Sequence, residues 1–136
     1  MIALDTNALV RLLAEDDMEQ AKTVQSVIQK AESDGEKILI LTEVLVETVW
    51  VLESVYHCGR KEIADFLDRI ANIPAYYLPD VLTVNNAVSQ YKNKGDFADL
   101  IIVEQAQKHH AEYLFSFDKK LKNLFPDYVI NSYQCH

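Results

Sequence analysis

Cysteine, glycine, proline and positive charge are all scarce in this chain of 136 residues, and each scarcity closes a possibility. Cys58 and Cys135 are the two cysteines and stand far apart, with no Cys-x-x-Cys and no Cys and His set at zinc spacing. A disulfide framework is therefore excluded, and a reducing, cytoplasmic compartment is expected. With three Gly and three Pro, no low-complexity stretch and 49% hydrophobic residues, the composition is that of an ordinary globular protein, neither disordered nor fibrous. No apolar run reaches the length of a membrane span, and "LDTNALVRLLAEDD" carries acids on both sides of its apolar residues, unlike an export signal. Lys and Arg number 13 against 21 Asp and Glu, a net charge of -8, which argues against a broad basic face gripping nucleic acid. The imbalance is local, however. Residues 92–122 hold Lys92, Lys94, Lys108, Lys119, Lys120 and Lys122 against Asp96, Asp99, Glu104, Glu112 and Asp118, so a divalent cation bound there would leave that surface positive. Lys108 is expected on a solvated helix face.

What is present is an alternation of short apolar runs and amphipathic stretches. A strand is expected over residues 1–4, followed by a short helix over 6–14. "DDMEQAKTVQSVIQKAESDG" places Met18, Ala21, Val24, Val27, Ile28 and Ala31 at helical spacing, with Asp16 or Asp17 as amino cap and Asp34-Gly35 as terminator. "ILIL" reads as a buried strand. Thr42 is expected to cap "EVLVETVWVLESVYHCG", a helix so apolar that it should lie centrally, ended by Gly59. Then come the helix "RKEIADFLDRIA", an edge strand or loop in "IPAYYLP", the helix "DVLTVNNAVSQYKNKG", the helix "DFADLIIVEQAQKHH", the strand "EYLFSF", the short helix "DKKLKNLF" and the strand "YVIN". Such alternation implies a parallel sheet of about four to five strands with helices on both faces, a three-layer α/β/α sandwich whose ligands bind at the carboxyl ends of the strands.

The acids fall on that edge. Asp5 directly follows the first strand, here taken as a central one, and Asp118 follows "EYLFSF". Glu47 lies in the apolar helix, and Asp96 and Asp99 open a later helix one turn apart. Carboxylates gathered in a partly apolar place resist ionisation unless a cation neutralises them, and an all-carboxylate set suits Mg2+ or Mn2+ better than zinc. Such an ion would serve phosphodiester hydrolysis. Structural readings stand beside this one: Asp96, Asp99 and Asp118 as helix-capping residues, and Glu47 paired with Arg11. Glu43 is a weaker candidate, and Glu53 is expected in solvent. His109 and His110 fit a helix end, His136 and Cys135 are assigned nothing, and Tyr76, Tyr77 and Tyr91 are expected in the core.

"LDTNALVRLL", "LTEVLVETVWVLE", "GDFADLIIVEQA" and "LFSFDKKL", in this order, resemble the PIN-domain ribonucleases, especially the VapC-type toxins of toxin-antitoxin pairs. The likeness runs over nearly the whole chain, a single PIN-like domain over residues 1–136. It implies a metal-dependent endoribonuclease in which Asp5, Glu47, Asp99 and Asp118 hold one or two Mg2+ or Mn2+ ions. Asp96 corresponds to an additional acid, Asn7 to a residue orienting Asp5, and Ser116 to a polar neighbour of the site. The resemblance also implies a homodimer, an RNA substrate cut to a 3′-hydroxyl and a 5′-phosphate, and a cognate antitoxin. A phosphoacceptor signalling module is the alternative from another class, although the sequence lacks that module's acidic pair at the first strand and its late lysine. An aspartyl phosphatase would want an acid where Asn7 stands. A catalytically silent PIN-like binding protein ranks lower because the acids are intact.

Overall fold

The apolar run after Lys37 becomes the middle strand of a parallel sheet. The computed structural model describes residues 1–14 and 16–132; Cys135 and His136 lie outside the described residues. Strand β1 (Ile2–Ala3) pairs with β2 (Ile38–Leu39), and β2 pairs with β3 (Tyr76–Tyr77), in the register Ile2, Ile38, Tyr76. Ile38 and Ile40 are completely buried, as a central strand's side chains must be, while β3 lies at an edge, as its flanking prolines require. A second parallel pair joins β4 (Leu114–Phe115) to β5 (Val129–Ile130).

The α/β class with parallel strands is therefore as expected, but its sheet is divided into pieces of three and two strands. Consequently β1 is not an internal strand of the hydrogen-bonded ladder: among the described residues β4 bonds to β5, leaving β1 at one side of the three-stranded piece.

Among the described residues seven helices fill the intervals: α1 (Thr6–Leu13), α2 (Met18–Ser33), α3 (Thr42–Ser54), α4 (Arg60–Asn72), α5 (Val81–Tyr91), α6 (Phe97–Lys108) and α7 (Lys119–Leu124). Several begin where an aspartate can accept a free amide hydrogen of the first turn. Asp5 accepts from Ala8 N–H, Asp17 from Gln20 N–H and Asp96 from Asp99 N–H. Helix α3 departs from this rule. Its cap position is Leu41, with no side-chain bond, and Thr42 is instead the first helical residue, buried, so its hydroxyl does not cap. Gly59 does not end α3 either; the helix closes at Ser54, and Gly59 stands at the amino cap of α4.

A large core joins Leu4, Leu9, Ile38, Ile40, Leu45, Val49 and residues of α4 to α6, and a small one gathers Val103, Leu121 and Val129 under β4 and β5. Phe125 packs against both. Helix α3 is less enclosed than its composition implied: Leu45, Val49 and Leu52 are buried, but Trp50 is 63% exposed. Tyr91 is buried, whereas Tyr77 on the edge strand is nearly half exposed. Lys108 does not simply point into solvent; its Nζ meets Asp80 Oδ1 at 2.8 Å.

Candidate metal and phosphodiester site

Asp5, one residue beyond the last β1 bond from Leu4 N–H to Leu39 O, is exposed and spends Oδ1 on Ala8 N–H at 2.9 Å. Its neighbour Thr6 donates through Oγ1 to Glu47 Oε2 at 3.3 Å, tying the start of α1 to α3. This bond brings the Asp5 and Glu47 segments together. It also removes the structural alternative for Glu47, because Arg11 is engaged elsewhere: it donates to Gln20 (2.8 Å), Asp16 (3.0 Å) and the Tyr56 hydroxyl (3.2 Å).

Glu47 and Asp96 line one groove of about 290 Å³ between α3 and the start of α6, with Trp50 and Ala98 on its walls. Asp96, Asp99 and Asp118 line an adjoining groove of about 650 Å³, with Glu53, Lys94 and Lys120. Asp96 and Glu53 belong to both. Partial burial pushes the Asp99 carboxyl above the ordinary carboxylate range, and the charges of Asp96 and Asp118 push it further. Three carboxylates therefore share this groove, and two of them act on Asp99.

Asp118 is held as a cap, its Oδ1 accepting from Lys120 N–H (2.9 Å) and Leu121 N–H (3.2 Å), while its own N–H donates to Ser116 Oγ at 3.1 Å. Ser116 thus supports Asp118 directly. Asn7 does not perform the corresponding task for Asp5. It faces a different groove with Arg11, Gln20 and Thr23, and among the described residues no bond joins it to Asp5.

Among the described residues no three Asp, Glu, His or Cys side chains converge closely enough to form a finished cation site. Asp5, Asp96 and Asp118 each rest one oxygen on backbone amides instead, and Glu47 rests one on the Thr6 hydroxyl. As a donor set they nevertheless fit a hard divalent cation: every candidate is a carboxylate, Asp99 is partly desolvated, and its neighbours disfavour its charge. Asp96, Asp99 and Asp118 line one groove and Glu47 the adjoining one, while among the described residues Asp5 is linked to Glu47 only through its neighbour Thr6.

The composition-based reading missed Glu53, Arg60 and Thr6. Glu53 is half-buried, not solvated, and accepts from the Tyr91 hydroxyl at 2.7 Å. One signal was available: Arg60 sits at the first position of α4, where the helix dipole disfavours a cation, so a tertiary partner was needed to hold it there.

A parallel α/β fold with carboxylates from separate segments facing adjoining grooves defines a candidate acidic nuclease class. The PIN domain family model matches residues 2–124, and the chain belongs to that family. It is similar to a VapC ribonuclease of Aquifex aeolicus (strain VF5), with 27% identity over 125 residues, spanning 91% of this chain and 92% of that protein. No solved structure matches it.

Proposed function

We propose that this protein is a metal-dependent endoribonuclease, the toxin of a toxin-antitoxin pair, acting on RNA phosphodiester bonds with Mg2+ or Mn2+. The observation that carries the reading is the groove where Asp99, its carboxyl raised by partial burial and then by the charges of Asp96 and Asp118, lies beside Lys94 and Lys120. Asp5, Glu47, Asp99 and Asp118 would hold the ion, with Asp96 adjacent. When bound, the cation neutralises these acids and supplies Lewis-acid polarisation at the phosphate.

The chain's own groups account for the remainder of the chemistry. Lys94 and Lys120 offer the backbone phosphates a positive rim beside an acidic floor, which draws the polyanion in without a basic face over the whole molecule. Glu47 has one oxygen on Thr6, which orients the carboxylate, and its other oxygen can accept a hydrogen bond from the attacking water. Ser116 fixes the backbone of Asp118, so that acid is presented from a rigid turn. An antitoxin with a basic segment would complement the acidic grooves and the net charge of -8. The reading includes a single domain, a homodimer and a cytoplasmic location.

The test is incubation of purified protein with mixed RNA and Mn2+, with and without chelator, beside Asp5→Asn and Asp99→Asn. Cleavage to 3′-hydroxyl and 5′-phosphate ends, lost with chelator and in both variants, is expected. Cleavage that survives in both variants refutes the site.

A further inference from the structure

Four helices meet at one polar unit beside the acidic grooves. Arg60, on α4, sends Nη1 to two carbonyl oxygens far away in sequence: Tyr91 O at 3.0 Å, at the end of α5, and Gly95 O at 2.6 Å, directly before the Asp96 cap of α6. Its guanidinium carbon lies 4.5 Å from the centre of the Tyr91 ring, a cation–π contact. The same Tyr91 ring meets Phe97, the first residue of α6, edge-to-face at 5.7 Å, and its hydroxyl donates to Glu53 on α3 at 2.7 Å. Phe97 lies between Asp96 and Asp99 in sequence; Glu53 lies less than two turns beyond Glu47 on the same helix.

We infer that Arg60, Tyr91 and Glu53 form a positioning unit that sets the first turn of α6, with Asp96 and Asp99, relative to Glu47 on α3. The inference rests on the nuclease reading above and adds residues to it that hold no ligand themselves. Its physical basis is that Asp96 and Asp99 stand just after an irregular corner, residues 92–95, whose two ends are both held by one guanidinium. Both bonds leave Nη1, whose two hydrogens lie in the plane of a guanidinium that also packs on the Tyr91 ring; a lysine ammonium can donate but has no flat face to set against that ring. Glu53 acts through the acceptor it offers Tyr91, not through its charge. A carboxylate that held the cation would behave otherwise.

Manganese binding to the full-length protein, measured by the electron paramagnetic resonance of free Mn2+, separates these roles. Arg60→Lys and Tyr91→Phe are expected to weaken Mn2+ binding about tenfold, in the range known for groups that orient metal ligands. They should lower kcat on RNA while leaving KM within about twofold, since they touch no groove cation other than Arg60 itself. Glu53→Gln keeps an oxygen for the Tyr91 hydroxyl and should retain most of the Mn2+ affinity, whereas Glu53→Ala should not. Tyr91→Phe removes one oxygen from a filled core position, so it stays informative should the Arg60 variant unfold. Unchanged Mn2+ affinity in folded Tyr91→Phe, or a Glu53→Gln as weak as Glu53→Ala, overturns the positioning role while wild-type binding and cleavage leave the nuclease reading standing. Wild-type protein that neither binds Mn2+ nor cleaves RNA overturns both.

Discussion

Replacing Gly95 by alanine should destabilise the protein markedly, for two reasons that can be separated. The residue has φ of +104°, a conformation in which a side chain crowds its own backbone, at a cost of about 1–2 kcal/mol. An added Cβ would also lie 3.1 Å from Leu100 Cδ2, 3.1 Å from Leu124 Cδ1 and 3.2 Å from Leu100 Cδ1. These contacts are tighter than ordinary van der Waals packing, and relieving them in a filled core costs about 1–3 kcal/mol. Together the terms amount to roughly 3 kcal/mol, or a melting temperature lower by about 10 °C for a domain of this size. Gly35→Ala is the control. It has φ of +71° with nothing within 4 Å of the added carbon, so it carries the backbone term alone. Urea unfolding of both variants should show Gly95→Ala less stable than Gly35→Ala by about 1–3 kcal/mol, the packing share. Equal losses would refute the close approach of α7 and α6 to this corner.

Asp99→Asn in the presence of chelator should unfold at higher denaturant than wild type near neutral pH. A carboxyl whose folded pKa is raised binds more protons folded than unfolded, so its ionisation costs stability as pH rises from the unfolded value of 3.8 through the folded one; the gap between variant and wild type should close on acidification below that window. Asp16 has the opposite sign: a hydrogen bond from the Tyr56 hydroxyl, then the charge of Arg11, lower its pKa. Tyr56→Phe should therefore lose a stabilisation that wild type has above the unfolded pKa and gives up as pH falls through the folded value, so the two melting curves should converge in acid. Thr6→Val removes the hydroxyl that makes a solvent-exposed bond to Glu47, and should change stability by less than about 0.5 kcal/mol while reducing RNA cleavage several-fold; unaltered cleavage would detach Thr6 from the site.

Much of the fold was legible because its determinants are local. Asp5, Asp17, Asp96 and Asp118 each accept from amides two or three residues onward, a relation contained within one turn of sequence. The same locality explains why capping and metal binding were hard to separate at these positions: a carboxylate that starts a helix at the end of a strand satisfies both patterns. Trp50 shows the limit of composition. An apolar helix was read as central, yet which of its faces meets the core depends on where α1 and α6 lie, and the tryptophan faces outward.

By itself the amino-acid sequence determined the order of helices and strands, the parallel α/β class and the acids near the strand ends, since periodicity and capping act over a few residues. Only tertiary structure decided that Arg11 turns to Asp16 and leaves Glu47 to Thr6. It also decided that the sheet divides in two, and that Glu53, Tyr91 and Arg60 close on one corner. Those partners are separated by as many as 41 residues, and their meeting depends on how packed helices are oriented, a relation no short window of sequence contains.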